Sequence, residues 1–371
     1  MSVNNFIAAI TAELICSVNN NYNDNYDPYR YGEVIVPDKK KSIKENLIAQ
    51  LNSRGYYNDF NNRNFAGQIK SKAFPYSDFF YLFDILEDEN SKELLIKIIA
   101  YRILGHTKVK LPLNKPSLWN DLKTIEMHQR KDDVVSIGFM NQQLPYIDLE
   151  FLGLPIKLYY SAIGVNVDFI IKQYEFHHDD IHIQAEPGDV VIDAGGCFGD
   201  TALYFSNMVG STGLVKTFEF IPNNIELLNR NLDLNPDLKP AIELINRPLW
   251  NESNLEVFFI DNGPGSKVTF EYFNEHTGKT KTITIDEFVQ SSGLEEVNFI
   301  KMDVEGAETN ALLGAKETIK KYRPKLAIAL YHSTKDFERI PKLINDLGLG
   351  YRFYLSHATI YGEETMLFAK V

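Results

Sequence analysis

The pattern of apolar and polar positions divides the chain into unlike halves. From about residue 184 onward, short β-branched and aromatic runs alternate with amphipathic stretches. Strands are predicted near 189–194, 214–219, 242–247, 297–303, 325–331, 351–355 and 365–370, with helices between most of them. Strand alternating with helix implies a doubly wound, mostly parallel α/β sheet with right-handed crossovers. The last two runs are joined by a short loop and read as a closing hairpin. An antiparallel-looking insert (256–260, 267–272, 281–285) interrupts the alternation after the third strand.

The first half has a different texture. Residues 6–16 and 78–104 carry apolar positions at helical spacing, the latter as two helices parted near Asp88-Glu89-Asn90. A further helix is expected from the spacing of Ile43, Leu47, Ile48 and Leu51, with Lys39-Lys40-Lys41 as its solvated start, after an Asn/Tyr/Asp-rich loop at 19–31. Short strand-like runs then fill 134–183. The expected organisation is a mainly helical accessory region at 1–133, a β-rich connecting or lid segment at 134–183, and a cofactor-binding domain at 184–371. Within the connector, the cluster Gln173 to His178 reads either as packing or as a lid.

Composition narrows the classes. With 371 residues, 44% hydrophobic and 24% charged, the chain reads as a soluble globular protein with one large domain and an accessory region. A formal net charge of -12 opposes nucleic-acid binding. No run reaches the length of a membrane span. The apolar opening carries Glu13 and lacks a basic start, which argues against a secretory signal. Cys16 and Cys197 are the only cysteines and fit a cytoplasmic protein. Self-association into a homo-oligomer is left open.

The most informative stretch is 189–201, where a buried strand ends at Asp193 and is followed by Gly195, Gly196, Cys197, Phe198, Gly199, Asp200 and Thr201 before an apolar helix. Glycines there let backbone approach a ligand, and the helix start aims free N–H groups at it. The turn lacks the glycine spacing of a dinucleotide site, which disfavours a nicotinamide oxidoreductase. Asp193 and Asp200 would repel a pyrophosphate and suit S-adenosyl-L-methionine, with its sulfonium, amino group and ribose. Glu219, at the end of the second strand beside Phe220, stands where a carboxylate accepts both ribose hydroxyls. Trp250 reads equally as core or as a wall for adenine, and Cys197 as a small packing residue. Asn223 and Asn224 are candidates to cap the next helix.

Across the sheet, Asp303, Glu305 and Glu308 crowd the end of the fourth strand. Charge at a helix start accounts for Glu308; Asp303 and Glu305 lie too close to the expected cofactor for that. His332 and His357 end the fifth and sixth strands, and Glu364 precedes the last. Asp303, Glu305, His332, His357 and Glu364 are expected to converge in one cleft.

Five segments resemble the FkbM family of S-adenosylmethionine-dependent methyltransferases: D-V-V-I-D-A-G-G-C-F-G-D-T-A-L-Y-F at 189–205, F-E-F-I-P-N-N at 218–224, N-F-I-K-M-D-V-E-G-A-E at 298–308, Y-R-P-K-L-A-I-A-L-Y-H at 322–332 and Y-R-F-Y-L-S-H at 351–357. The resemblance covers roughly the last half of the chain. It implies a class I methyltransferase, Rossmann-like seven-stranded sheet and O-methylation of a hydroxyl on a glycan or small natural-product acceptor. Asp193, Gly195, Gly196, Gly199, Asp200, Thr201, Glu219, Phe220 and Asp303 are then expected at the cofactor. An alcohol needs help to lose its proton. His332 is the first candidate base, oriented by Asp303, with Glu305 beside them. A magnesium or manganese ion held by Asp303, Glu305, His332 and His357 is the competing version. The rival from another class is a catalytically silent cofactor-binding or partner-binding protein with the same fold.

Overall fold

The computed structural model describes residues 3–28, 76–137, 142–263 and 266–371. The helix expected around Ile43 to Leu51, with its lysines, lies outside the described residues. In chain order the elements are α1 (Val3–Ser17), α2 (Tyr76–Ile85), α3 (Glu89–Leu104) and α4 (Pro116–His128). They continue with β1 (Arg130–Ser136), β2 (Gln143–Asp148), β3 (Lys157–Tyr159), α5 (Ala162–Val165), a π-helical turn Asn166–Ile171, β4 (Phe176–His178) and β5 (Ile181–Ile183).

The second half comprises β6 (Val190–Ala194), α6 (Asp200–Val209), β7 (Leu214–Phe218), α7 (Pro222–Asp233) and β8 (Ile242–Ile245). The insert is β9 (Glu256–Ile260), β10 (Lys267–Thr269) and β11 (Gly278–Lys281), followed by α8 (Ile285–Ser291). Then come β12 (Phe299–Met302), α9 (Glu308–Leu313), α10 (Lys316–Tyr322), β13 (Lys325–Ala329), α11 (Asp336–Asn345), β14 (Arg352–His357) and β15 (Thr365–Lys370).

The seven-stranded sheet runs β14-β15-β13-β12-β6-β7-β8. Only β15 opposes its neighbours within it, pairing antiparallel with β13 and β14. This is the closing hairpin that the sequence predicts. The insert forms a separate sheet, β10-β9-β11, and its third strand is Gly278–Lys281 rather than 281–285. Thr284 explains the shift: its hydroxyl accepts from Glu287 N and starts α8 where the strand was expected to continue.

Neighbouring strand residues belong to different cores, because side chains alternate across a sheet. Ile192, Ile300, Ile328 and Leu367 join one core with Phe6, Leu82, Leu95 and Ile99 of the N-terminal helices. Val191, Phe299, Ala327 and Phe368 join the other, with Leu122, Ile147, Val165 and Phe169. The accessory helices therefore cover one face of the sheet and α4 to the π-turn cover the other. With both faces covered, the central strands are almost wholly apolar, as parallel sheets require. Among the described residues no helix is long and apolar enough to cross a membrane.

Candidate active site

β6, β7, β12 and β13 end on one edge of the sheet, and the glycine turn forms one side of the cleft there. Strand β6 ends at Asp193, fully buried, whose carboxylate accepts from Thr201 Oγ1 (3.0 and 2.9 Å) and Thr217 Oγ1 (2.8 Å). Lys301 on β12 completes the ring: its ammonium lies 3.1 Å from Asp193 Oδ1 and donates to the Gly195 carbonyl. Asp193 and Thr201 thus build the turn instead of presenting free oxygens to a ligand. Burial opposes the lysine charge, but Asp193, Asp303 and Asp200 outweigh it and raise the Lys301 pKa.

The glycines are dictated by protein neighbours as much as by any ligand. A Cβ on Gly195, at φ +95, would stand 1.9 Å from the Asp303 carbonyl oxygen. One on Gly196 would stand 2.1 Å from Thr217 Oγ1. Cys197 is half-buried, and burial of its thiol followed by the Asp200 charge pushes the thiol pKa well up, as befits a packing residue.

Glu219 follows β7 and is 8% exposed. Its Oε1 accepts from Phe220 N (2.6 Å) and Ile221 N (2.8 Å), and its Oε2 from Asn224 Nδ2 (3.0 Å). Asn223 and Asn224 therefore do not cap α7; Ile221 stands at the cap position, with Pro222 beginning the helix. Buried polar atoms here lack partners: Asn224 Oδ1 beside Glu219, and Asp200 Oδ1 at the start of α6. Buried oxygens of this kind call for a polar partner, a water or a ligand. Trp250 lies against Phe270, ring centroids 4.8 Å apart.

Across the cleft, the turn after β12 doubles back. Glu305 and Gly306 have φ of +55° and +95°, and Glu308 reaches back to accept from Val304 N (2.8 Å) and Gly306 N (3.3 Å). Glu308 is more than a charge at a helix start, since the same oxygen faces His332 Nδ1 at 3.0 Å. His332 Nε2 lies 3.3 Å from Glu305 Oε2 and 3.7 Å from Asp303 Oδ1. Burial opposes the imidazolium, yet the Glu305 and Glu308 contacts outweigh it and carry its pKa up to about 11. Histidine 332 is a cation at neutral pH.

Asp303 is the opposite case. It accepts from Tyr331 OH (3.0 and 3.1 Å) and Tyr174 OH (3.3 Å). Burial and then the Glu364 charge raise its pKa to about 7, against the pull of Lys301 and His332. The segment 173–178 is at once packing and wall. Phe176 lies on Tyr354 and Phe368, centroids 5.0 and 5.7 Å away, while Tyr174 reaches the site.

The structure brings Asp303, Glu305 and His332 together, with Glu364 within electrostatic reach of Asp303. His357 does not join them: its Nδ1 meets Thr365 Oγ1 at 2.9 Å and its Nε2 meets Thr359 Oγ1 at 3.4 Å. Among the described residues, the group with metal-capable donor atoms mutually within 4.8 Å is Asp303, Glu308 and His332, without Glu305 or His357. That group fits a cation poorly, because Glu308 Oε1 is already shared by two amides of its own turn.

The seven-stranded sheet with its reversed last strand defines the class I methyltransferase, Rossmann-like fold. Residues 193–353 match the family model described as methyltransferase FkbM domain. The chain is similar to hexuronic acid methyltransferase AglP of Haloferax volcanii, 26% identical over 166 residues, which cover 45% of this chain and 65% of that protein. It is also similar in fold to methyltransferase FkbM from Methylobacillus flagellatus KT, with TM-score 0.50 and 16% identity, over 87% of this chain and 65% of that one. The matches thus span just under two thirds of each relative's length.

Proposed function

We propose that the protein is an S-adenosylmethionine-dependent methyltransferase that methylates a hydroxyl oxygen on a glycan or small-molecule acceptor. The observation that carries the chemistry is Asp303: a buried carboxylate at the end of a central strand, held by two phenols, with a pKa near 7. When bound, S-adenosylmethionine supplies a methyl group already activated on a sulfonium. The Gly195–Gly199 turn and the start of α6 hold the donor, and Glu219 accepts its ribose hydroxyls.

The protein's remaining task is to align the acceptor and take its proton. Asp303 and His332 exchange the roles that the sequence suggests. A ring with a pKa of about 11 is already protonated, whereas a carboxylate near 7 is half ionised and takes the acceptor's proton. Tyr174 and Tyr331 orient the Asp303 oxygens, and the His332 cation keeps the surrounding carboxylates from raising Asp303 further. The glycan side of the reading draws on the hexuronic acid named for the Haloferax relative.

The test is incubation of the full chain with methyl-labelled S-adenosylmethionine and a panel of uronic-acid and neutral glycosides, read by mass spectrometry. Labelled methyl on an acceptor oxygen is expected. Binding of the donor without transfer to any acceptor would favour the silent cofactor-binding protein.

A further inference from the structure

Asp168 lies in the π-helical turn, ahead of the residues matched by the FkbM family model, and plays no part in the chemistry above. Its side chain belongs to a residue only 4% exposed, and its Oδ2 accepts from Tyr160 OH at 2.7 Å. The Tyr160 ring packs against Gly164, where a Cβ would come within 2.4 Å of it. Ser161 caps the same short helix through Gly164 N at 3.0 Å. Asp168 is thereby held in place by its own segment. A π-turn of this kind often marks a functional site.

The π-turn that carries Asp168 packs against α6, the helix that begins at Asp200, and Asp200 is the charged neighbour that acts on Asp168 most strongly, with Glu364 adding to it and Lys301 opposing. Asp200 is itself 5% exposed, and its Oδ1 has no hydrogen-bond partner. Enclosed carboxylates with an unmet oxygen are costly unless they take up a proton or a cation with N–H donors stands between them. Lys301 is not that cation, because its ammonium is committed to Asp193 and to the Gly195 carbonyl. A sulfonium has no N–H to donate. A primary ammonium offers three donors and one positive charge.

We propose that Asp168 and Asp200 together receive the α-ammonium group at the amino-acid end of the methyl donor, so that a segment preceding the family domain completes the cofactor site. This inference rests on the methyl-donor reading above. It makes Asp168 a cofactor-binding residue contributed by the connector, and it couples the connector's position to donor binding.

The experiment compares two probes by calorimetry on the full chain: S-adenosylhomocysteine, which carries the ammonium, and 5′-methylthioadenosine, which lacks the amino-acid end. For Asp168→Asn, the S-adenosylhomocysteine Kd is expected to rise about 10-fold or more, while the methylthioadenosine Kd stays within about 2-fold. Asp200→Asn is expected to show the same selectivity. Neither variant is expected to lower the melting temperature of the free protein, because each removes like-charge repulsion from a buried site. Unchanged S-adenosylhomocysteine affinity, or equal weakening of both probes with a lowered melting temperature, would overturn the proposal. Wild-type protein that binds neither probe would instead overturn the methyl-donor reading beneath it.

Discussion

The two sides of the cleft are made from the same residue types and behave differently. At the glycine turn, Asp193 is neutralised by Lys301 and saturated by two threonines, so the charge there is spent on structure. At the end of β12, Asp303 meets two tyrosines and a histidine cation already shared with Glu305 and Glu308, and its carboxyl is left near neutrality. A balanced carboxylate shapes a turn; an underbalanced one can move a proton. The difference lies in the partners, not in the aspartate.

The largest expected effect breaks that contrast at its reactive side. Asp303→Asn should lower kcat by roughly 100- to 10,000-fold and abolish the acid limb of the pH–rate profile, which should lie near pH 7 in the wild type. Stability should not fall with it. A carboxyl raised from 3.8 to about 7 stays protonated in the native state while the unfolded state ionises, so it costs stability as pH rises through that window. Thermal unfolding at pH 8 should find the variant at least as stable as the wild type.

Lys301→Met tests the opposite side. It leaves Asp193 buried without its counter-charge and should cost about 3–5 kcal/mol by chemical denaturation. A loss below about 1 kcal/mol would show that the turn does not depend on the pair.

His332→Gln should cost about 3 kcal/mol at pH 6, because Glu308 is fully buried beside it. The sign with pH follows from a pKa raised from 6.5 to about 11: the contribution is complete below 6.5 and is lost as pH climbs toward 11. The stability gap between variant and wild type should therefore shrink from pH 7 to pH 10. The smallest effect is expected at Glu305, whose side chain is 71% exposed. Glu305→Gln should change stability by less than about 0.5 kcal/mol, yet move the acid limb of the pH–rate profile downward, since Glu305 is among the charges that raise Asp303.

Much of this was legible in the residues, and the reasons for the gaps are physical. Short β-branched and aromatic runs marked every strand of the main sheet. Lys301 left a signal that went unread, a lysine inside the apolar run Phe299-Ile300-Lys301-Met302 on a strand buried from both faces. Glu308 looked like an ordinary helix-start charge because its contact with His332 is made across two elements. Tyr174, 129 positions before Asp303, could be placed only by the fold. His357 was grouped with the cleft because it ends a strand; the side chain instead meets Thr359 and Thr365 of its own hairpin.

Binding of S-adenosylmethionine in this cleft through the glycine turn and Glu219 is open to titration of the full chain with S-adenosylhomocysteine in a calorimeter, wild type beside Glu219→Gln. One-to-one binding is expected, weakening about 10-fold in the variant, as loss of a charge-assisted pair of hydrogen bonds would give. Absence of heat with the wild type, or identical affinity in the two proteins, would contradict it.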